Sequence, residues 1–141
     1  MTDGMTPEVD VAIVADLPEE DWEERISRIA ERVFEGEGVA WTNLSVVLAD
    51  HATVLSLNKE WLDHDWNTDV ISFLLEEDPV EGEVYVDVET ALERHGEFDT
   101  TMQQEILRYV VHGILHLCGH DDATDEERDA MRVLEDRYLA V

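Results

Sequence analysis

The stretch from about Thr100 to Cys118 constrains the fold more than any other part of this 141-residue chain. Ile106, Leu107, Tyr109, Val110, Val111, Ile114, Leu115 and Leu117 recur at helical spacing and cover much of the circumference. A helix apolar on so many sides is stable only when other elements surround it, so it is expected at the centre of the molecule. The same helix carries His112 and His116. Residues four apart lie on one helix face, one turn apart, so both imidazoles can be offered to a single ion.

Elements able to wrap such a helix lie on both sides of it in the chain. Val9 to Val14 is mostly apolar and β-branched and predicts a first strand. Pro18 opens an acidic first turn, and Trp22, Ile26, Ile29, Ala30, Val33 and Phe34 mark an amphipathic helix that Gly36 and Gly38 should stop. Leu44 to Leu48 predicts a second strand, and a short helix should run from about Ala52 to Trp61. Leu62 to Thr68 is too polar and aperiodic for regular structure and reads as a loop. Asp69 to Leu75 and Glu83 to Val88 predict two further strands joined by a turn, with a short helix from about Glu89 to His95 after them. Thr124 with Glu127 three residues on is a capping box for a last helix, whose inner face would be Met131, Leu134, Tyr138 and Leu139. The sum is one α+β domain over residues 1–141, a mixed sheet of about four strands packed against a central metal-binding helix and further helices. With 44% apolar residues the chain can bury one core.

Charge dominates the surface. There are 36 acidic residues against nine basic ones, a formal net charge of −27, and Lys59 is the sole lysine. Such a domain repels itself in dilute buffer. At ~1 M salt the Debye length falls to about 3 Å and most of that repulsion disappears, so the surface suits a very salty cytoplasm. Taken alone, the acidity opposes a nucleic-acid partner, because phosphate contacts rely on Lys and Arg. No run approaches the roughly 18 apolar residues of a membrane span, so no membrane is expected. Met1 to Asp10 carries no secretory pattern, and the single cysteine, Cys118, excludes an internal disulfide. Both fit a cytoplasmic location.

The segment His112-Gly-Ile-Leu-His116-Leu-Cys-Gly119-His120-Asp121-Asp122 carries the chemistry. Gly119 can end the helix in a left-handed turn, after which the chain doubles back and a residue three positions on can supply a third ligand. Three protein ligands with one open position are the pattern of catalytic zinc, one ion per chain, whereas structural sites are closed by four. If the helix continued, His120 would stay on the histidine stripe. If Gly119 breaks it, Asp122 is the better third ligand, and the spacing HxxxHxxGxxD is similar to that of the metzincin metallopeptidases. Cys118 lies about 200° around the helix from His116 and points away from the ion. Nickel or cobalt would also accept two imidazoles and a carboxylate.

In the metallopeptidase signature a glutamate general base follows the first histidine; here that position is Gly113. The segment instead resembles the signature of the YbeY family, His-Gly-x-Leu-His-Leu-x-Gly-Tyr-Asp-His. It matches at His112, Gly113, Leu115, His116, Leu117, Gly119 and Asp121. It departs at His120, where the family usually has tyrosine, and at Asp122, where it usually has a third histidine. Leu57-Asn58 and Thr68-Asp69-Val70-Ile71-Ser72-Phe73 also resemble the family's LN…TDVLSF block, as do Gly82 to Glu89, Glu105 to Val111 and the last helix. The resemblance implies a cytoplasmic, zinc-bound, single-strand-preferring endoribonuclease. It would act in maturation of the 16S ribosomal RNA 3′ end and in ribosome quality control, with ribosomal RNA and the small subunit as partners. The family often carries an arginine implicated in RNA cleavage where this chain has Leu62.

Zinc can polarise a phosphoryl oxygen and lower the pKa of its water towards ~7, or the RNA can supply its own 2′-hydroxyl. Asp121 is the candidate proton acceptor or orienting partner for a ligand imidazole. Arg108, one turn before His112, is the candidate positive charge near the scissile phosphate, ahead of Lys59. His64 could contact phosphate, Asp69 could face the cleft, and Trp61 and Trp66 could stack on splayed bases. Two other functions stand beside this one. A metallopeptidase-like hydrolase is favoured by the ligand spacing and opposed by Gly113. A non-catalytic, zinc-stabilised ribosome-binding factor is favoured by Leu62 and the acidic surface.

Overall fold

The computed structural model describes residues 7–17, 20–62, 70–94 and 101–140. In chain order they form β1 (Glu8–Ile13), α1 (Trp22–Glu37), β2 (Trp41–Ala49), α2 (His51–Leu62), β3 (Val70–Glu77), β4 (Val80–Asp87), α3 (Val88–Arg94), α4 (Met102–Leu117) and α5 (Asp125–Leu139). The strands make one mixed sheet in the order β1-β2-β4-β3. β1 and β4 both run parallel to β2, with Val11 opposite Val46 and Val46 opposite Val84, whereas β3 returns antiparallel to β4.

Side chains alternate between the two faces of a strand. Leu44, Val46 and Leu48 of β2, with Val84 and Val86 of β4, therefore share one face, and there they join the apolar residues of α1, α4 and α5 in the main core. The opposite face is smaller: Ala49 and Ile71 pack with Val54 of α2, edged by Val47, Leu57, Phe73 and Tyr85. As expected of its sequence, α4 is the central helix. Ile106, Val110, Val111, Ile114 and Leu115 are fully buried, and it touches α1, α3, α5, β3 and β4. No helix among the described residues is long and apolar enough to cross a membrane.

Three sequence expectations need correction. α1 starts at Trp22, so Glu20 and Asp21 precede the helix rather than form its acidic first turn, a role taken by Glu23 and Glu24. Gly36 does not stop α1 but lies inside it, where the Tyr138 ring packs so closely that a Cβ would meet it at 2.5 Å. Gly38 alone is the stop. β2 also starts at Trp41, ahead of its apolar run, and β4 at Val80. Of the expected loop, Leu62 is the last residue of α2, and residues 63–69 lie outside those described.

Candidate metal centre

α4 is fixed at both ends by its own sequence. Thr101 caps it through a reciprocal box: its hydroxyl accepts from the Gln104 N–H, and the Gln104 side chain accepts from the Thr101 N–H. At the other end Gly119 takes φ +103°, a conformation that strains any residue with a Cβ. The Gly119 N–H then donates to the His116 carbonyl and the His120 N–H to the Leu115 carbonyl, the paired bonds of a Schellman motif. The chain reverses here, and Arg128 of α5 donates to the carbonyls of Asp122 and Ala123, steadying the turn. Thr124 and Glu127 form the expected capping box of α5.

The reversal brings Asp122 back over the two histidines. His112 Nε2 stands 3.1 Å from His116 Nε2 and 3.1 Å from Asp122 Oδ2, and His116 Nε2 stands 3.5 Å from Asp122 Oδ1. Three protein ligands at zinc distances of ~2.0–2.2 Å would occupy tetrahedron corners about 3.3–3.5 Å apart. The Nε2–Nε2 separation is close to one such edge, and each Nε2 faces a different oxygen of the Asp122 carboxylate, so the three groups converge on one position. The side chains are 20, 28 and 38% exposed, so the cluster is partly sheltered yet reachable from solvent. Among the described residues it is the one group of ligand type that converges in this way.

One residue of the site escaped the sequence reading. Glu135 of α5, buried at 6% exposure, accepts from His112 Nδ1 at 2.7 Å and from Arg108 at 3.0 Å. With Nδ1–H held there, Nε2 of His112 keeps its lone pair for an ion, the usual outer partner of a metal-ligating histidine. Burial by itself would depress the basicity of His112, but the Glu135 and Asp122 carboxylates outweigh it, and its pKa is raised. The sequence does carry a signal, because Glu135 falls on the same stripe as Met131 and Tyr138, where a charged residue is out of place.

The other candidate residues are distributed as follows. His120 turns away to α1, its Nε2 2.5 Å from Glu37, which also accepts from the Tyr138 hydroxyl. Asp121 is exposed in the turn beside Asp122 and is not part of the converging group. Arg108 is spanned by two carboxylates of α5, Glu135 and Asp136 at 2.7 Å. Lys59 is exposed in the last turn of α2. Cys118 packs against the core, and burial pushes its thiol up to about 12. His64, Trp66 and Asp69, with the side chains of Trp61 and Leu62, lie outside the described residues.

Gly113 faces the sheet. A Cβ there would stand 2.5 Å from Val84 and 3.1 Å from Ser72 Oγ, and Ser72 donates to the Gly113 carbonyl at 2.8 Å. The position that holds the peptidase base is therefore a helix–sheet contact with no space for a side chain.

A sequence model of the family described as Endoribonuclease YbeY matches residues 10–141. The protein named Endoribonuclease YbeY of Salinibacter ruber is 52% identical over 121 residues, which cover 79% of this chain and 77% of that protein. Its namesake from Chlorobium phaeovibrioides is 35% identical over 120 residues, 84% of this chain and 81% of the relative. Among solved structures, the solution structure of TM1509 from Thermotoga maritima aligns with a TM-score of 0.62 at 30% identity, covering 92% of this chain and 86% of that one.

Proposed function

This chain belongs to the YbeY family of endoribonucleases, and from that premise we propose that it is a zinc-dependent enzyme that cuts single-stranded RNA. The observation that supports zinc is the convergence of His112, His116 and Asp122, whose imidazole nitrogens and carboxylate oxygens approach to 3.1–3.5 Å, which suits an ion held by three protein ligands with a fourth position open. Bound there, zinc would supply Lewis-acid polarisation of a phosphoryl oxygen and a more acidic water. The chain's own residues do the rest. Glu135 holds the His112 tautomer. Arg128 holds the turn that presents Asp122. Asp121 takes the proton of the attacking group, water or the RNA 2′-hydroxyl. Arg108 supplies positive charge one turn from the ligands. In the cell the substrate would be ribosomal RNA at the 16S 3′ end, met on the small subunit in the cytoplasm, where the same activity would serve quality control.

Elemental analysis after purification in molar salt tests the metal. The expected result is about one zinc per chain, kept in His120→Ala and lost in Asp122→Ala, since one of three ligands is removed. Folded wild-type protein that takes up no added zinc would overturn it. The identity of the attacking group is read from the products, because attack by the 2′-hydroxyl leaves a cyclic 2′,3′-phosphate end and attack by water does not. Leu62, which replaces the family's usual arginine, favours a second reading as a zinc-stabilised ribosome-binding factor. Metal-loaded protein that sediments with ribosomes but leaves single-stranded RNA intact would select that reading.

A further inference from the structure

Nine basic residues are scattered through this chain, yet four of them line a single cavity of about 410 Å³. Arg25, Arg28 and Arg32 are spaced i, i+3, i+7 on α1 and so share one helix face. Arg108 of α4 lines the same cavity from the other side. The remaining lining is largely apolar, from Ile29, Leu107 and Leu139. In a molecule of net charge −27 this is an unusual concentration of cations around an apolar floor.

We infer that this groove binds the stretch of single-stranded RNA that flanks the scissile phosphate, with guanidiniums on the backbone and a base face on the apolar floor. The inference rests on the ribonuclease reading above and supplies the substrate track it lacks. Three features support it. First, Arg108 belongs to both places: it lines the groove, and its partner Glu135 also holds His112, about 6 Å further along the helix. Second, the three α1 arginines are oriented without being exhausted, while Arg108 stays held by Glu135 and Asp136. Arg28 pairs with Glu24 at 2.7 Å, Arg25 with Glu20 at 3.5 Å, and Arg32 donates to the carbonyls of Tyr138 and Ala140. A guanidinium has five N–H donors, and exposed pairs of this kind are weak enough to yield to a phosphate. Third, a cationic groove tracks a single strand's backbone regardless of sequence, and here guanidinium planes over an aliphatic floor, rather than aromatic rings, are the surfaces offered to the bases. Arginine planes and an apolar floor keep their value in concentrated salt, where simple attraction between charges is screened.

The test is fluorescence anisotropy of a fluorescein-labelled, single-stranded 2′-O-methyl oligouridine, which has no free 2′-hydroxyl, titrated with full-length metal-loaded protein across a salt series. Arg25→Ala/Arg28→Ala removes two exposed groove arginines, and Arg132→Ala/Arg137→Ala removes the same charge from α5 outside the groove. The groove variant should raise Kd by about tenfold or more and lower the slope of log K against log salt by about 1.4, roughly 0.7 per lost contact. The control should change Kd by less than about twofold, and elemental analysis should find the same zinc content in all three proteins. Equal losses in both variants, or none in the groove variant, would overturn the groove. So would a labelled oligoglutamate that binds as tightly and is lost in the same variant, which would assign the groove to an acidic protein. Oligouridine binding that follows the groove while wild-type enzyme cuts no RNA would uphold the groove and sink the ribonuclease reading instead.

Discussion

Two histidine–carboxylate pairs in this molecule have nearly the same geometry and opposite meanings. His112 Nδ1 meets Glu135 at 2.7 Å, and His51 Nδ1 meets Asp87 at 2.6 Å. Both carboxylates are buried, at 8 and 1% side-chain exposure. Each carboxylate also serves a second partner. Glu135 accepts from Arg108, and Asp87 accepts from the backbone N–H and hydroxyl of Thr90, where it caps the start of α3. The difference lies on the far side of the ring. Nε2 of His112 converges with His116 and Asp122, whereas His51 belongs to no such group of three converging ligand atoms among the described residues. A buried carboxylate that orients an imidazole is thus an ordinary structural device. It becomes an outer partner of a metal ligand only where other ligands meet the opposite nitrogen.

The largest effect should come from exchanging the two rings in a single measurement. His112→Ala removes one of three ligands and should abolish stoichiometric zinc, while His51→Ala should leave about one ion per chain. Loss of zinc from both would break the comparison. The next largest effect belongs to the outer carboxylate. Glu135→Ala should weaken zinc by about 10–100-fold in a competition titration with a chelator, and Glu135→Gln, which retains a neutral acceptor, should weaken it less. Unchanged affinity in both variants would reduce Glu135 to a packing and ion-pair residue.

Much of this was legible in the sequence, for identifiable reasons. α4 declared itself by an apolar pattern that only a buried helix explains, and Asp122 by its distance beyond Gly119, whose φ of +103° the turn requires. The cap of α5 was read directly from Thr124 and Glu127, and the equivalent Thr101–Gln104 box was equally readable though unused. Glu135 was hidden because its importance depends on α5 folding back along α4, a tertiary fact that no local pattern contains. The arginines of α1 share that history: their spacing is visible on the helix, but the groove exists only once Arg108 is set opposite them. Strand order is hidden for the same reason: the β3–β4 hairpin is local, but the parallel pairing that sets β4 beside β2 is remote in sequence.

The structural member of the comparison should show itself in stability rather than in metal. Asp87→Ala strands the Thr90 N–H and removes the partner of His51, at a cost of about 1–3 kcal/mol in denaturant unfolding, with zinc affinity unchanged. A matching loss of zinc affinity would show that the two pairs are coupled through the sheet.

The smallest effect is on pH. The hydrogen bond to Asp87 outweighs the desolvation of His51 and raises its pKa above the ordinary 6.5 in the folded protein. A raised folded pKa means that the proton is bound more tightly in the native state than in the unfolded chain. The stabilisation is therefore complete below pH 6.5 and fades as pH rises through the folded value. Because His51 is more than a third exposed, solvent and salt screen most of this contribution, so the change in Tm should be small. It is isolated by difference: between pH 6 and pH 9 the wild type should lose slightly more Tm than His51→Gln, measured in the same salt. Parallel curves would mean that the Asp87 contact holds the neutral ring as well as the charged one. The two pairs would then differ in what faces Nε2 and not in how the carboxylate acts on the ring.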